Sequence, residues 1–137
     1  MPKYPCKILH FDIIEVQGQI FLSHVDKFLK FAKFFSIKNK LGVHLRYIIA
    51  ELLHYFTVPK IILTGKEKGF LSFEIQVYQT PSQRSEVNGQ IERLHSTIIE
   101  TFRCLQMEVR NRKTKDMVYT AVNRYNNTIH SVTKVKP

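Results

Sequence analysis

The feature that most constrains this chain is a change of hydrophobic period near residue 40. Residues 7–16, 20–25 and 28–37 are rich in Ile, Val and Phe and read as three extended stretches, with Gln17-Gly18 as a hairpin signal between the first two. That pattern predicts an antiparallel meander. From about residue 40 to 56 the spacing becomes helical: Leu41, Leu45, Ile48, Ile49, Leu52, Leu53 and Phe56 fall on one stripe. Val58-Pro59 closes the helix, because a proline disfavours the helical conformation of the residue before it. Residues 60–64 then give a short apolar strand of the kind buried in a sheet centre. A meander, a helix and a buried strand in that order predict an α/β or α+β domain with the helix packed across the sheet.

The rest of the chain extends the pattern. Residues 65–69 are polar and bounded by glycines, hence a loop, while 74–79 alternate as a short strand and 80–87 read as a polar connection. Residues 89–108 predict an amphipathic helix with Ile91, Leu94, Ile98, Phe102 and Leu105 on one face. Glu92, Arg93, Ser96, Glu100 and Arg103 are left for solvent or for a ligand. After the charged connection 110–113, Met117, Val118, Ala121, Val122 and Tyr125 mark a second helix.

With 137 residues the chain is the size of a single domain, 1–137. Its 21 Lys and Arg against 11 Asp and Glu leave a surplus of +10, which favours an anionic partner: nucleic acid first, an acidic membrane surface second. Cys6 and Cys104 show neither zinc-ligand spacing nor a disulfide framework, which fits a reduced, intracellular setting. No apolar run reaches the roughly 18 to 20 residues that span a bilayer, and the first five residues lack the apolar stretch of a signal peptide.

Two acidic residues stand out. Asp12 lies between Phe11 and Ile13 in the first strand, where a carboxylate beside a buried sheet is costly without a partner. Glu92 lies in the first turn of the helix that follows Asn88-Gly89. Carboxylates from separate elements are what a metal-dependent phosphodiester enzyme needs. Two divalent cations steady the attacking and leaving oxygens, and magnesium takes hard oxygen ligands from one or two carboxylates each. Such a site wants about three acids.

The stretch Phe11-Asp12-Ile13-Ile14, Gly18, Ile20-Phe21-Leu22-Ser23 and Val25-Asp26-Lys27-Phe28-Leu29-Lys30-Phe31 resembles the opening of the integrase catalytic core of retroviruses and Gypsy-like LTR retrotransposons. Val58-Pro59-Lys60, Thr80-Pro81, the segment from Asn88 through Glu92 and His95 to Thr97, and the tail from Tyr125 to Ser131 follow in the family's order. The resemblance covers almost the whole chain. It implies an RNase H-like fold: a mixed sheet of about five strands flanked by helices, with three acids gathered around two metals. Asp12 matches the first acid and Glu92 the third, and Asp26 matches a position the family often keeps without using it as a ligand.

The pattern breaks at the second acid, whose position holds Gly65. Thr64 and Glu67 are poor substitutes. The separation of Gly65 from Glu92 is also shorter than the family's, which implies a domain shortened between the fourth and fifth strands. The resemblance therefore implies a degenerate or domesticated integrase core, catalytically inactive, with Asp12 and Glu92 as vestigial catalytic and metal-binding residues. Magnesium or manganese is the expected cofactor if activity survives, and none otherwise.

The expected partner is DNA, or RNA, bound without sequence preference through Lys60, Lys66, Lys68, Arg84, Arg93, His95 and Arg103, with Lys38 and Lys40 as further phosphate contacts. The expected setting is the nucleus, with a homodimer as one assembly, and neither an N-terminal zinc module nor a C-terminal DNA-binding domain is expected in 1–137. Two other readings stand beside this one. The chain is either an active nuclease or strand transferase with an altered site, or a non-enzymatic dimerisation and interaction scaffold.

Overall fold

The computed structural model describes residues 5, 7–40, 42–55, 61–64, 77–79, 85–108, 111–131 and 133–137. Strands β1 (Ile8–Val16), β2 (Gln19–Asp26) and β3 (Ala32–Ile37) form the expected antiparallel meander. Gln17 and Gly18 join the first two with φ of 48° and 76°. Positive φ at both central residues is the hairpin geometry whose twist matches that of the flanking strands.

The connection from β2 to β3 departs from expectation. Asp26 Oδ1 accepts hydrogen bonds from the backbone N–H of Phe28 (2.7 Å) and Leu29 (3.2 Å), and Lys30 takes a φ of 65°. An aspartate that bonds the backbone two and three residues on makes a turn. Residues 28–31, which alternation assigned to the third strand, therefore belong to that turn, and β3 begins at Ala32.

Helix α1 (Gly42–Tyr55) and strand β4 (Ile61–Thr64) follow, then β5 (Val77–Gln79), α2 (Ser85–Glu108) and α3 (Thr114–Asn126). β4 runs parallel to β1, and β5 parallel to β4. The sheet order is β3-β2-β1-β4-β5, a mixed five-stranded sheet with flanking helices as expected. The inferred shortening between β4 and β5, and residues 74–76 of the fifth expected strand, lie outside the described residues.

β1 is central, and both faces of the sheet are covered. On one face Leu9, Phe11, Leu22, Ile37 and Ile62 pack with Leu45 and Ile49 of α1. On the other, Ile14, Val16, Phe21 and Val25 pack with α2 and α3, and the whole stripe Ile91, Leu94, Ile98, Phe102 and Leu105 is buried there. Alternation along β1 thus sends Leu9 and Phe11 toward α1, and His10, Asp12 and Ile14 toward α2.

Helix α2 starts at Ser85, so 85–87 are helical rather than part of a loop, and Asn88-Gly89 lies inside the helix. An interior glycine costs about 1 kcal/mol relative to alanine. Burial of five apolar side chains, at about 1.5–3 kcal/mol each, outweighs it. Asn126 ties the end of α3 to β3: its Nδ2 donates to Ala32 O (2.7 Å) and its Oδ1 accepts from Ala32 N–H (2.9 Å). Among the described residues, no helix is long and apolar enough to cross a membrane.

Candidate functional site

Asp12 stands in the middle of β1, opposite Ser23 of β2. It is half-buried, and its Oδ1 accepts a hydrogen bond from the N–H of Ile13 at 2.8 Å. Ser23 is buried, and its hydroxyl donates to the Asp12 carbonyl at 3.1 Å. The same oxygen lies 2.7 Å from His95 Nε2 on α2. One hydroxyl proton serves one acceptor, so the two contacts coexist in the tautomer that carries its hydrogen on Nε2. The His95 ring also meets Phe34 edge-on, at 6.0 Å between centroids, and Phe34 is Ser23's neighbour on β3. Asp12, Ser23 and Phe34 thus form one row across three strands, and His95 sits on it.

Burial pushes the His95 pKa down to about 4, which keeps the ring neutral near pH 7. His10, two residues before Asp12 on the same face, is also pushed down to about 4, first by burial and then by Lys27 and His95. Neither of its ring nitrogens has a hydrogen-bond partner among the described residues. Sequence reasoning missed Ser23 and His10. The available signal for Ser23 was a small polar residue at an inward position of an otherwise apolar strand.

Glu92 is exposed on α2, one helical turn before His95. At 100° per residue, Glu92, Ser96 and Arg103 share one exposed flank of the helix. Arg93 lies on the other flank, bordering a separate groove with Thr97 and Cys104. The structure therefore divides the proposed phosphate contacts of this helix. Arg103 stays with Glu92, His95 turns inward to Ser23, and Arg93 faces elsewhere. Lys38 and Lys40 are exposed just beyond β3. Gly65, Lys60, Lys66, Lys68 and Arg84 lie outside the described residues, as does Glu67.

β4 runs beside the first half of β1. Its parallel register sets His10 beside Leu63 and Phe11 beside Thr64, so the strand ends one residue short of the level of Asp12. A divalent ion with hard oxygen preference needs converging carboxylates. Among the described residues, no group of three His, Cys, Asp or Glu side chains could hold a metal ion. Among the described residues, Asp12 and Glu92 alone do not supply the converging carboxylates of a two-metal centre.

No family model matches the chain. Over 146 residues it is 47% identical to the retrovirus-related Pol polyprotein from transposon opus of Drosophila melanogaster, spanning 100% of this chain and 15% of that protein. Over 147 residues it is 30% identical to the corresponding polyprotein from transposon gypsy of the same organism, spanning 100% of this chain and 14% of that one. The chain thus matches about one-seventh of the length of these relatives. Among solved structures, the HTLV-2 integrase catalytic core domain in complex with magnesium, in a trimeric form, superposes with a TM-score of 0.78 at 15% identity, covering 99% of this chain and 96% of that one. The catalytic core domain of BIV integrase gives a TM-score of 0.77 at 13% identity, covering 96% and 91%.

Proposed function

Because the chain is homologous to a segment of the Pol polyproteins of Drosophila retrotransposons and has the fold of a retroviral integrase catalytic core, we propose that it is a catalytically silent core that retains affinity for nucleic acid. The observation that carries the loss of catalysis is the β1–β4 register. By the family resemblance the acid that shares a metal with Asp12 follows Thr64, which pairs with Phe11 next to Asp12, and the sequence has Gly65 there. Glycine supplies no ligand oxygen from a side chain, and one fewer carboxylate leaves two divalent cations under-neutralised.

What supports nucleic-acid binding is the net charge of +10 and the exposed cations on the flank of Glu92 and beyond β3. Contacts of this kind are made to phosphates, so affinity is to fall steeply with salt and to vary little with sequence. The test is calorimetric titration of magnesium and manganese into the wild type and into Gly65→Asp, alongside a DNA-end cleavage assay. The wild type is expected to bind neither ion and to leave DNA intact, while Gly65→Asp gains metal binding that Asp12→Ala removes. Metal-dependent cleavage by the wild type would overturn the silent reading. DNA affinity that stays flat as salt rises would overturn the electrostatic one.

A further inference from the structure

The flank of α2 away from Glu92 borders a groove of about 820 Å3, closed by the end of α3, the segment that follows it and the turn carrying Lys30. That volume lies within the roughly 300–1,000 Å3 of small-molecule sites. Three cations reach it from three separate elements, Lys30, Arg93 and Arg124, against the single carboxylate of Glu100 on its wall. Arg124 is partly engaged by Glu108 at 3.9 Å. The crowding is therefore greatest at the other end, where Lys30 and Arg93 meet His130.

The ionisation of that end reflects the crowding. Burial and then the charges of Lys27 and Arg93 hold the Lys30 ammonium below its usual value, with Asp26 opposing. Burial and then Lys30 and Arg93 do the same to His130. Lys30 Nζ donates one hydrogen to Lys27 O at 2.7 Å, which leaves its other donors for a ligand.

The hydroxyls of Thr97, Thr101 and Tyr125 on the wall are already committed. Thr97 donates to Arg93 O at 2.9 Å, Thr101 to Thr97 O at 3.0 Å and Tyr125 to Lys30 O at 2.9 Å. Gln90 is different: its Nε2 is buried without a hydrogen-bond partner among the described residues, and its side chain lines the groove. An unused buried amide donor costs free energy until an acceptor arrives. Crowded cations and a spare N–H together complement an oxyanion, which accepts several charge-assisted hydrogen bonds at once.

We infer that the end of this groove formed by Lys30, Arg93 and Gln90 is a binding site for a phosphate-type oxyanion, carried by a free polyphosphate or by a nucleic-acid backbone. The site lies on the opposite flank of α2 from Glu92 and is independent of any chemistry at Asp12. Titration calorimetry with tripolyphosphate in metal-free buffer tests it, using the wild type, a Lys30→Gln/Arg93→Gln variant and a charge-matched Lys113→Gln/Lys115→Gln variant. The wild type and the charge-matched variant are expected to bind at one saturable site. Lys30→Gln/Arg93→Gln is expected to bind at least about tenfold more weakly with its thermal unfolding unchanged.

Absence of saturable binding, or an equal loss in both variants, overturns the site. Competition with a short DNA duplex separates the two sources of phosphate. Displacement of tripolyphosphate by DNA, with DNA affinity reduced in Lys30→Gln/Arg93→Gln, supports the site with backbone phosphate as its ligand. Tripolyphosphate binding that DNA does not displace supports it with a free polyphosphate.

Discussion

Two consecutive rungs of the β1–β2 ladder bury polar side chains in opposite ways. The rung Asp12–Ser23 faces α2, and there Ser23 is satisfied twice, by the Asp12 carbonyl and by His95. The rung Phe11–His24 faces α1, and there His24 rests against the Phe11 ring at 4.9 Å with neither nitrogen hydrogen-bonded among the described residues. A buried polar group without a partner costs about 1–3 kcal/mol. The rung at Asp12 is thus held by mutually satisfied groups, whereas its neighbour one residue away is tolerated at a loss. The bond to Ser23 and the edge contact with Phe34 give His95 a packing role over the Asp12 row.

Acid is the widest probe of that contrast, because it acts on both rungs. Burial holds His10, His24 and His95 each at about 4, against 6.5 for an unburied ring. Between pH 6.5 and 4 the unfolded chain takes up protons that the folded chain refuses, so stability is full above this window and falls as pH drops through it. At about 1.4 kcal/mol per unit and per ring, the loss by pH 5 is roughly 6 kcal/mol, a large part of a typical domain's stability. Urea midpoints followed by circular dichroism at pH 7.5, 6 and 5 measure this. A midpoint that holds constant across that range would show that the three rings are not buried as described.

The fold was legible in the sequence where a local period carried it. Gln17-Gly18 marked the first hairpin, the helical stripe marked α1, and Ile91 to Leu105 marked the buried face of α2. The turn at 28–31 was not legible, because Phe28, Leu29 and Phe31 look like strand residues, and only the Asp26 carboxylate, reaching forward to the backbone, decides otherwise. Asn88-Gly89 misled for a related reason: the local cost of glycine is smaller than the packing of the residues after it.

Family resemblance named the candidate acids Asp12 and Glu92, but the groups packed around Asp12 were not legible in the sequence. Ser23 and His95 are 72 positions apart, and no local pattern announces a hydrogen bond of that range. Nor does a list of basic residues say which flank of a helix each occupies, so Arg93 and Arg103 were grouped although they face different ways.

The Asp12 rung is tested by removing the ring that sits on it. His95→Ala removes the bond to Ser23 and the edge contact with Phe34, and leaves a void over the row. A loss of about 2–3 kcal/mol is expected at pH 7.5. A double-mutant cycle sharpens the point. Adding Ser23→Ala to His95→Ala should cost about 0.5 kcal/mol or more less than Ser23→Ala alone, because the two groups satisfy each other. Strict additivity would mean that the pair is not a unit and that the two rungs differ less than their geometry suggests.

The Phe11–His24 rung makes the opposite forecast, since substitution there should help. His24→Leu replaces an unsatisfied ring by an apolar side chain in a buried position that already packs on Phe11. Removal of the orphaned nitrogens is worth about 1–3 kcal/mol, and loss of the ring contact returns about 0.5–1.5 of it, so the net gain at pH 7.5 is about 1 kcal/mol. At pH 5 the unfolded histidine is protonated and the folded one is not, which adds about 2 kcal/mol to the penalty that leucine escapes. The gain in urea stability should therefore be larger at pH 5 than at pH 7.5. A gain independent of pH would assign the benefit to packing alone. A loss at both values would mean that His24 is satisfied by a group outside the described residues, and the two rungs would then be alike.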